Sequence, residues 1–345
     1  MKETAPLRVA LIFGGRGHER LISEKSAEYI FSSTDRARIS PIPIRILEDG
    51  RWLASLGYGT SLDECAFDTE VYPAFTGERH GFLHSDGFID IDCAIPALHG
   101  DFGEDGRVQG ALECAGIRYV GCDVICGAVC SDKSYTKSVA EHLGIPVARW
   151  ICISPSDTNA CIAEKAERYI GYPSFVKPAR LGSSIGASRA SDRSSLIRAV
   201  SDARALSGRV MIEECVDIGA ELECAYLGVC GEDRFSDVGM IECRGTYDYE
   251  SKYLTSSATV SDRCDIPSDT RELILDYSAL LRDELDIRHL ARFDFFLTRD
   301  GRVIFNEINT FPGFTASSLY PRLVARMGIS PSELITALVR EAAEA

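Results

Sequence analysis

A chain of 345 residues, 45% of them hydrophobic, can bury enough apolar surface for two or three domains. With 37 basic against 52 acidic residues the net charge is −15, which disfavours a nucleic-acid backbone or an anionic membrane as a general partner. No apolar run is long enough to span a bilayer, and Met1 to Pro6 leads into a strand-like Leu7 to Phe13 without a secretory pattern, so a cytoplasmic protein is expected. Thirteen scattered cysteines with no Cys-x-x-Cys pair fit reduced thiols better than a disulfide scaffold or a zinc site.

The first 130 residues alternate strand-like and helix-like segments, as in an open α/β layer. Leu7 to Phe13 predicts a buried strand, Gly14-Gly15-Arg16-Gly17 a turn, Glu19 to Phe31 a helix, and Phe88 to Leu98 a second central strand. The glycine turn predicts backbone N–H groups offered to an anionic ligand. Its spacing does not reproduce the Gly-x-Gly-x-x-Gly of a dinucleotide site. Cys122, Cys126 and Cys130 recur every four residues and predict one helix face of buried thiols.

From Ser131-Asp132-Lys133 a helix is expected to reach Leu143, where Gly144-Ile145-Pro146 stops it, so a domain junction falls near residue 130. An extended Val147 to Ile153, a helix from Asp157 to Ile170 and the strand Phe175-Val176-Lys177-Pro178 follow. The run Gly182-Ser183-Ser184-Ile185-Gly186 then suits a mobile phosphate cover: glycine permits close backbone approach, and Lys177 and the hydroxyls are donors. A strand from Arg209 to Cys215 carries Ile212-Glu213-Glu214, and further strands are expected at 221–229 and 236–243. The tyrosine-rich Arg244 to Thr259 is too long for a simple hairpin and reads as a lid. A helix from Asp269 to Leu285 follows, and Ser330-Pro331-Ser332-Glu333 predicts a capped helix start near the C-terminus.

The strongest chemical signal is the pair Arg292-Phe293-Asp294-Phe295-Phe296 and Asn306-Glu307-Ile308-Asn309 around Asp300-Gly301. A two-residue turn there sets Asp294 opposite Glu307 and Arg292 opposite Asn309 on one face of the ribbon. Opposed carboxylates repel unless a cation lies between them, and a Mg2+ ion shared with substrate phosphates would meet that need.

In these motifs the chain resembles the D-alanine:D-alanine ligases of the ATP-grasp superfamily. The resemblance runs through Phe13-Gly14-Gly15 with Glu19 and Ser23, Ala97-Leu98-His99-Gly100 with Gly103 to Gly106 and Gln109-Gly110, Tyr119 to Cys122, and Asp132-Lys133-Ser134. It continues in Lys177 to Gly186, Tyr247 to Tyr253, Phe305 to Thr310 and Pro312 to Thr315. It implies an N-terminal open α/β substrate-binding domain (1–130), then a two-part α+β ATP-grasp fold: a central subdomain (131–216) and a C-terminal catalytic domain (217–345). The implied partners are ATP, D-alanine and Mg2+ or Mn2+, with a homodimer compatible.

By the same resemblance, Lys133 and Lys177 contact phosphates with Ser184 and Lys252, while Glu213 and Glu221 bind adenine and ribose and Cys215 and Val216 flank the base. Asp294, Glu307 and Asn309 are the implied metal ligands. Glu19 would hold the ammonium of the first D-alanine in a triad with Ser183 and Tyr253, and His99 would lie near that substrate. Arg292 and the Gly313 N–H would stabilise an oxyanion, and Ser318 and Leu319 would meet the second D-alanine. The implied reaction phosphorylates the first D-alanine's carboxylate with ATP and lets the second D-alanine's amine displace phosphate.

Two positions depart from the family pattern. Leu21 stands where an acidic residue is usual, and Arg16-Gly17-His18 is an uncommon form of the turn. Rival readings are a D-alanine:D-serine or D-lactate ligase of the vancomycin-resistance type, disfavoured by Lys252-Tyr253 and Leu319, and a non-catalytic nucleotide-binding module, which has no use for Arg292.

Overall fold

The computed structural model describes residues 5–57, 59–242 and 259–344. Strand β1 (Leu7–Gly14) leads through helix α1 (Arg20–Ser33) to a parallel β2 (Ile39–Ile46), and β3 (Trp52–Ala54) and β4 (Thr69–Glu70) extend that edge antiparallel. β5 (Tyr72–Pro73), β6 (Gly81–His84) and β7 (Gly87–Asp90) form a small separate sheet, and β8 (Cys93–Pro96) pairs in parallel with the free edge of β1. The single strand expected over Phe88 to Leu98 is thus two strands in two sheets. The chain crosses between them at Ile91-Asp92, where Ile91 N–H donates to His80 O and Asp92 N–H to Arg8 O.

Two turn amides expected to face a ligand are engaged internally instead. Gly14 N–H donates to Ser23 Oγ at 2.8 Å, and Gly15 N–H to Ile46 O at 2.9 Å. The turn therefore anchors α1 to the sheet, and its anion-binding role is withdrawn for these two groups.

Helices α2 (Arg107–Cys114), α3 (Val124–Ser131) and α4 (Lys133–His142) come next. Asp132 separates the last two: its Oδ1 accepts from Ser134 N–H at 3.1 Å and from Ser134 Oγ at 2.6 Å, capping α4 so that Lys133 is its first residue. The central sheet of β9 (Trp150–Ile153), β10 (Ser174–Pro178), β11 (Ser188–Ala190) and β12 (Val210–Glu214) is antiparallel in the order β11-β10-β12-β9. It packs on α5 (Asn159–Tyr169) and α6 (Arg193–Leu206).

The C-terminal sheet holds β13 (Ile218–Val229), β14 (Glu232–Phe235), β15 (Gly239–Glu242), β16 (Thr259–Ser261), β17 (Leu290–Thr298) and β18 (Val303–Asn309), with α7 (Ser268–Glu284) between β16 and β17. The strand expected at 236–243 starts later because Ser236 breaks the edge, its Oγ accepting from Ala225 N–H at 3.0 Å and donating to Asp237 O at 2.6 Å. β15 pairs with β16, Glu242 opposite Thr259, and the residues expected as a lid between them, with Lys252 and Tyr253, lie outside the described residues. Helices α8 (Leu319–Arg326) and α9 (Pro331–Glu344) end the fold.

Both ends of the chain share one core: Val9, Leu11 and Phe13 pack in the same cluster as Leu319, Tyr320, Leu334 and Leu338. The segment expected as a central subdomain contributes to two cores. Ala140 and Ile145 join Phe293, Phe305 and Ile308 of the C-terminal sheet, while Ile162, Val176, Leu196 and Ile212 form the central one. The Cys122, Cys126 and Cys130 thiols are buried in the former as expected, but only Cys126 and Cys130 share a face of α3; Cys122 precedes its Asp123 N-cap.

Candidate active site

The register that carries the site is correct, but its turn is not. Near the turn Leu297 faces Val303 and Phe295 faces Phe305, and Gly301, at a φ of +85°, closes a three-residue loop Arg299-Asp300-Gly301. Asn306 is then an extra residue on β18, a bulge that shifts the pairing by one. Beyond it Asp294 lies opposite Glu307 and Arg292 opposite Asn309.

Protein cations already answer the two opposed carboxylates. Arg292 donates to both Asp294 oxygens, Nε to Oδ1 at 2.7 Å and an Nη to Oδ2 at 2.6 Å, and Lys133 Nζ lies 3.0 Å from Glu307 Oε2. Asn309 Nδ2 also donates to Asp294 Oδ2 at 3.0 Å. Opposition alone therefore does not demand a metal. Among the described residues no group of three or more His, Cys, Asp or Glu side chains is arranged to hold one. Two carboxylates and an amide on one sheet face remain a hard-oxygen donor set of the kind that suits Mg2+ sharing phosphate ligands.

One cleft joins this platform to the N-terminal layer. Glu19 and His99 line it from the β1 and β8 ends, Lys133 from α4, Leu181 to Ser183 from the glycine-rich run, and Arg292, Glu307, Asn309 and Gly313 from the C-terminal sheet and the loop after it. Glu19 stands at the N-cap of α1 with its side chain turned away from the cap, and its Oε1 accepts a hydrogen bond from Ser183 Oγ. Ser183 and Ser184 both have positive φ, 54° and 58°. Two non-glycine residues in succession hold that conformation only where surrounding contacts enforce it, and the bond to Glu19 is one such contact. Gly100 and Gly182 crowd the carboxylate so closely that a Cβ on Gly182 would stand 2.9 Å from Glu19 Oε2.

His99 has both ring nitrogens engaged. Nδ1 meets the Phe311 carbonyl at 3.0 Å, so it carries the proton, and Nε2 accepts from Ser26 Oγ at 2.8 Å. Ser26 Oγ in turn accepts from Phe314 N–H at 3.1 Å. Burial outweighs the opposing bond to Phe311 and, with a smaller push from Arg292 in its own direction, lowers the imidazole to about 4 and keeps it neutral. Glu104 completes this layer, accepting from Gly100 N–H at 2.7 Å and Phe311 N–H at 3.0 Å. Burial first, and the nearby Glu19 charge second, push its carboxyl up to about 8.

A second cluster lies on the central sheet. Glu213 is gripped by two lysines, Lys177 Nζ at 2.7 Å from Oε2 and Lys137 Nζ at 3.1 Å from Oε1. Burial opposes ionisation of Glu213, but Lys137 and Lys177 outweigh it and hold the carboxyl below its ordinary value. Lys177 is lowered by burial, with the like charges of Lys137 and Lys133 adding to it. Burial also works against Lys133, yet Glu307, then Glu19 and Glu213, hold it above its ordinary range, so Lys133 couples the two clusters.

The other expected residues do not line the cleft. Cys215 and Val216, half-buried, connect β12 to β13, and Glu221 lies on β13 opposite Phe296. Ser184 sits beside Ser183 in the glycine-rich run. Ser318 stands at the N-cap position of α8 without a side-chain capping bond, its Oγ accepting instead from Thr315 N–H at 3.2 Å; the Leu319 side chain is buried in the core against Gly239. Leu21 is 58% exposed. Sequence reasoning missed Ser26, Glu104, Lys137 and Glu223, although Lys137 lies four residues from Lys133 on one helix face and Glu223 two from Glu221 on one strand face.

Comparisons with known proteins bear on the family and the fold. Residues 8–122 match the family model described as D-ala D-ala ligase N-terminus, and residues 139–340 the one described as D-ala D-ala ligase C-terminus. The chain is 37% identical over 350 residues to the D-alanine–D-alanine ligase of Caldicellulosiruptor bescii, covering 98% of this chain and 95% of the relative. It is 36% identical to the D-alanine–D-alanine ligase A of Mesorhizobium japonicum, covering 99% and 98%. Among solved structures, the D-alanine-D-alanine ligase from Coxiella burnetii superposes with a TM-score of 0.85 at 28% identity, covering 99% of this chain and 95% of that one. The VanG D-Ala:D-Ser ligase from Enterococcus faecalis superposes with a TM-score of 0.87 at 31% identity, covering 98% and 99%. An open α/β layer followed by a two-part ATP-grasp, matched in turn by the N-terminal and the C-terminal family models, makes this chain a member of the D-alanine–D-alanine ligase family.

Proposed function

We propose that this chain joins two D-alanines at the expense of ATP, through a D-alanyl phosphate, to supply a peptidoglycan precursor in the cytoplasm. The observation that carries the reading is the single cleft lined by Glu19, Lys133, Ser183, Arg292, Glu307 and Gly313. In it Glu19 takes the ammonium of the first D-alanine, with Ser183 fixing the carboxylate's orientation. Lys133 and Lys177 offset the charge of the phosphoryl group as it moves to that substrate's carboxylate. The second D-alanine's amine then attacks the acyl carbon, phosphate leaves, and Arg292 with the Gly313 N–H offsets the charge on the carbonyl oxygen.

Asp294, Glu307 and Asn309 would hold Mg2+, or Mn2+ in its place, which supplies charge neutralisation to the ATP phosphates. ATP's base would lie at the Cys215-Val216 connection, with Glu213 and Glu221 at its polar edges. Glu213 must then share its carboxylate with Lys137 and Lys177. Ser184 and Lys252 would add phosphate contacts, Tyr253 would complete the Glu19–Ser183 triad, and Ser318 with Leu319 would border the second D-alanine.

The experiment is product identification. Purified protein with ATP, Mg2+ and D-alanine, with D-serine or D-lactate in competition, should yield D-alanyl-D-alanine as the main product with equal amounts of ADP and phosphate. A dominant D-alanyl-D-serine product would replace the second-substrate assignment, and absence of ADP would exclude catalysis.

A further inference from the structure

Arg292 is bound to more than the Asp294 carboxylate of the proposed metal platform. Its Nε, which donates to Asp294 Oδ1 at 2.7 Å, also lies 3.0 Å from Glu223 Oε2. Glu223 is 4% exposed and sits on β13 directly across from Asp294, which in turn faces Glu307 on β18. Three carboxylates thus form a row across three adjacent strands, with Arg292 lodged between the first two.

The arrangement has a consequence for Asp294. Arg292 now occupies both Asp294 oxygens, the same atoms that a divalent cation would need. A metal ligated by Asp294 competes with the guanidinium for the oxygen it takes and weakens that ionic hydrogen bond, because two positive groups then draw on one carboxylate. For a largely buried guanidinium, 15% exposed, loss of an ionic hydrogen bond without replacement is costly. Glu223 supplies the replacement within bonding distance, with no movement of the strand.

We propose that Glu223 is a positioning residue that receives Arg292 when Asp294 turns to the metal. Glu223 holds the guanidinium beside the reacting centre in both states and lowers the competition between Arg292 and the ion for Asp294. The role rests on the assignment of Asp294, Glu307 and Asn309 as metal ligands.

The test measures free Mn2+ by electron paramagnetic resonance as Mn2+ is titrated into the protein with ADP present, so it does not depend on turnover. Glu223→Gln keeps the side chain's shape and removes its charge. It should weaken Mn2+ binding about tenfold, as loss of a group that supports a metal ligand does. Glu223→Asp, which keeps the charge, should recover most of that loss. In an Arg292→Gln background the Glu223→Gln change should have no further effect, because no guanidinium remains to be received. Circular dichroism and thermal melts establish that each variant is folded.

Unchanged Mn2+ affinity in folded Glu223→Gln overturns the handover, including when the melting temperature falls, since that is what a packing role alone produces. A loss that persists undiminished in the Arg292→Gln background also overturns it and makes Glu223 a ligand itself. The Glu307→Gln variant separates the two levels of the reading. If it leaves Mn2+ binding untouched, the metal assignment fails and takes the handover with it; if it weakens binding while Glu223→Gln does not, only the handover fails.

Discussion

Ser26 Oγ lies 2.8 Å from His99 Nε2 and accepts from Phe314 N–H at 3.1 Å, so one hydroxyl ties helix α1 both to His99 and to the loop that carries Gly313. Phe314 N–H donates to Ser26, Ser26 donates to His99, and His99 donates to Phe311 O. The hydroxyl is buried and serves as acceptor and donor at once. Ser26→Ala should therefore leave two buried groups unsatisfied and cost about 2 kcal/mol in denaturant unfolding. The Gly313 loop would be held less firmly, so kcat should fall several-fold with ATP affinity little changed; an unaltered kcat would detach the relay from catalysis.

The same imidazole makes stability depend on pH. His99 has an ordinary value of 6.5 and a folded value of about 4, so between those limits the unfolded chain binds the proton first. Its contribution is complete above pH 6.5 and is lost as pH falls towards 4, about 3 kcal/mol in all. Glu104, raised from 4.5 to about 8, slopes the opposite way: its contribution is present below 4.5 and is lost as pH rises through 8. Comparing unfolding of the parent and His99→Gln at pH 7 and pH 4 isolates the histidine. The variant should lose less stability on acidification, and parallel curves would contradict the neutral assignment.

At Gly100 the backbone has a φ of +65° and leaves no room for a Cβ, which would overlap Glu19 Oε2. Gly100→Ala should cost about 2 kcal/mol of strain. Displacing the Glu19 carboxylate from Ser183 should also raise the D-alanine KM about tenfold or more through loss of a charge-assisted contact. ATP affinity measured without D-alanine should stay near the parent's. A KM for D-alanine that does not move would show that Glu19 is not the ammonium site.

Glu307→Gln removes a charge that Lys133 contacts at 3.0 Å and that the proposed metal site would use. Turnover should fall on the order of 100-fold at limiting Mg2+, recovering in part as Mg2+ is raised. Near-normal turnover at limiting Mg2+ would exclude Glu307 as a ligand.

Much of this site is legible from residue types and spacing, and the exceptions have physical causes. The Asp294–Glu307 register follows from arithmetic around Asp300-Gly301, but only because a longer turn and a bulge at Asn306 cancel; a bulge has no residue signature here. Asp132-Lys133 reads as a helix start because aspartate caps it well. Lys137 and Glu223 escape because charged side chains are ordinarily solvated: their spacing from Lys133 and Glu221 sets them on the same faces but does not tell that the fold buries a partner alongside. Ser26 escapes for a different reason: its partners, His99, Phe311 and Phe314, come from distant parts of the chain.

Lys137 is 1% exposed and shares Glu213 with Lys177, so the last prediction concerns a buried ion triad. Lys137→Met keeps the length of the side chain and removes its charge, leaving Glu213 with one cation. Breaking a buried pair from one side costs about 3 kcal/mol, and Lys177, still 2.7 Å from Glu213, moderates the loss. Glu213→Gln alone leaves two buried lysines facing each other and should be at least as damaging. The double variant removes one charge of each sign, so its loss should fall short of the sum of the singles by about 1 to 3 kcal/mol. The ATP KM should rise in all three, and the D-alanine KM should change less because Glu19 lies in the other cluster. Additive stability losses in the double variant would mean that Lys137 and Glu213 are neighbours without being partners.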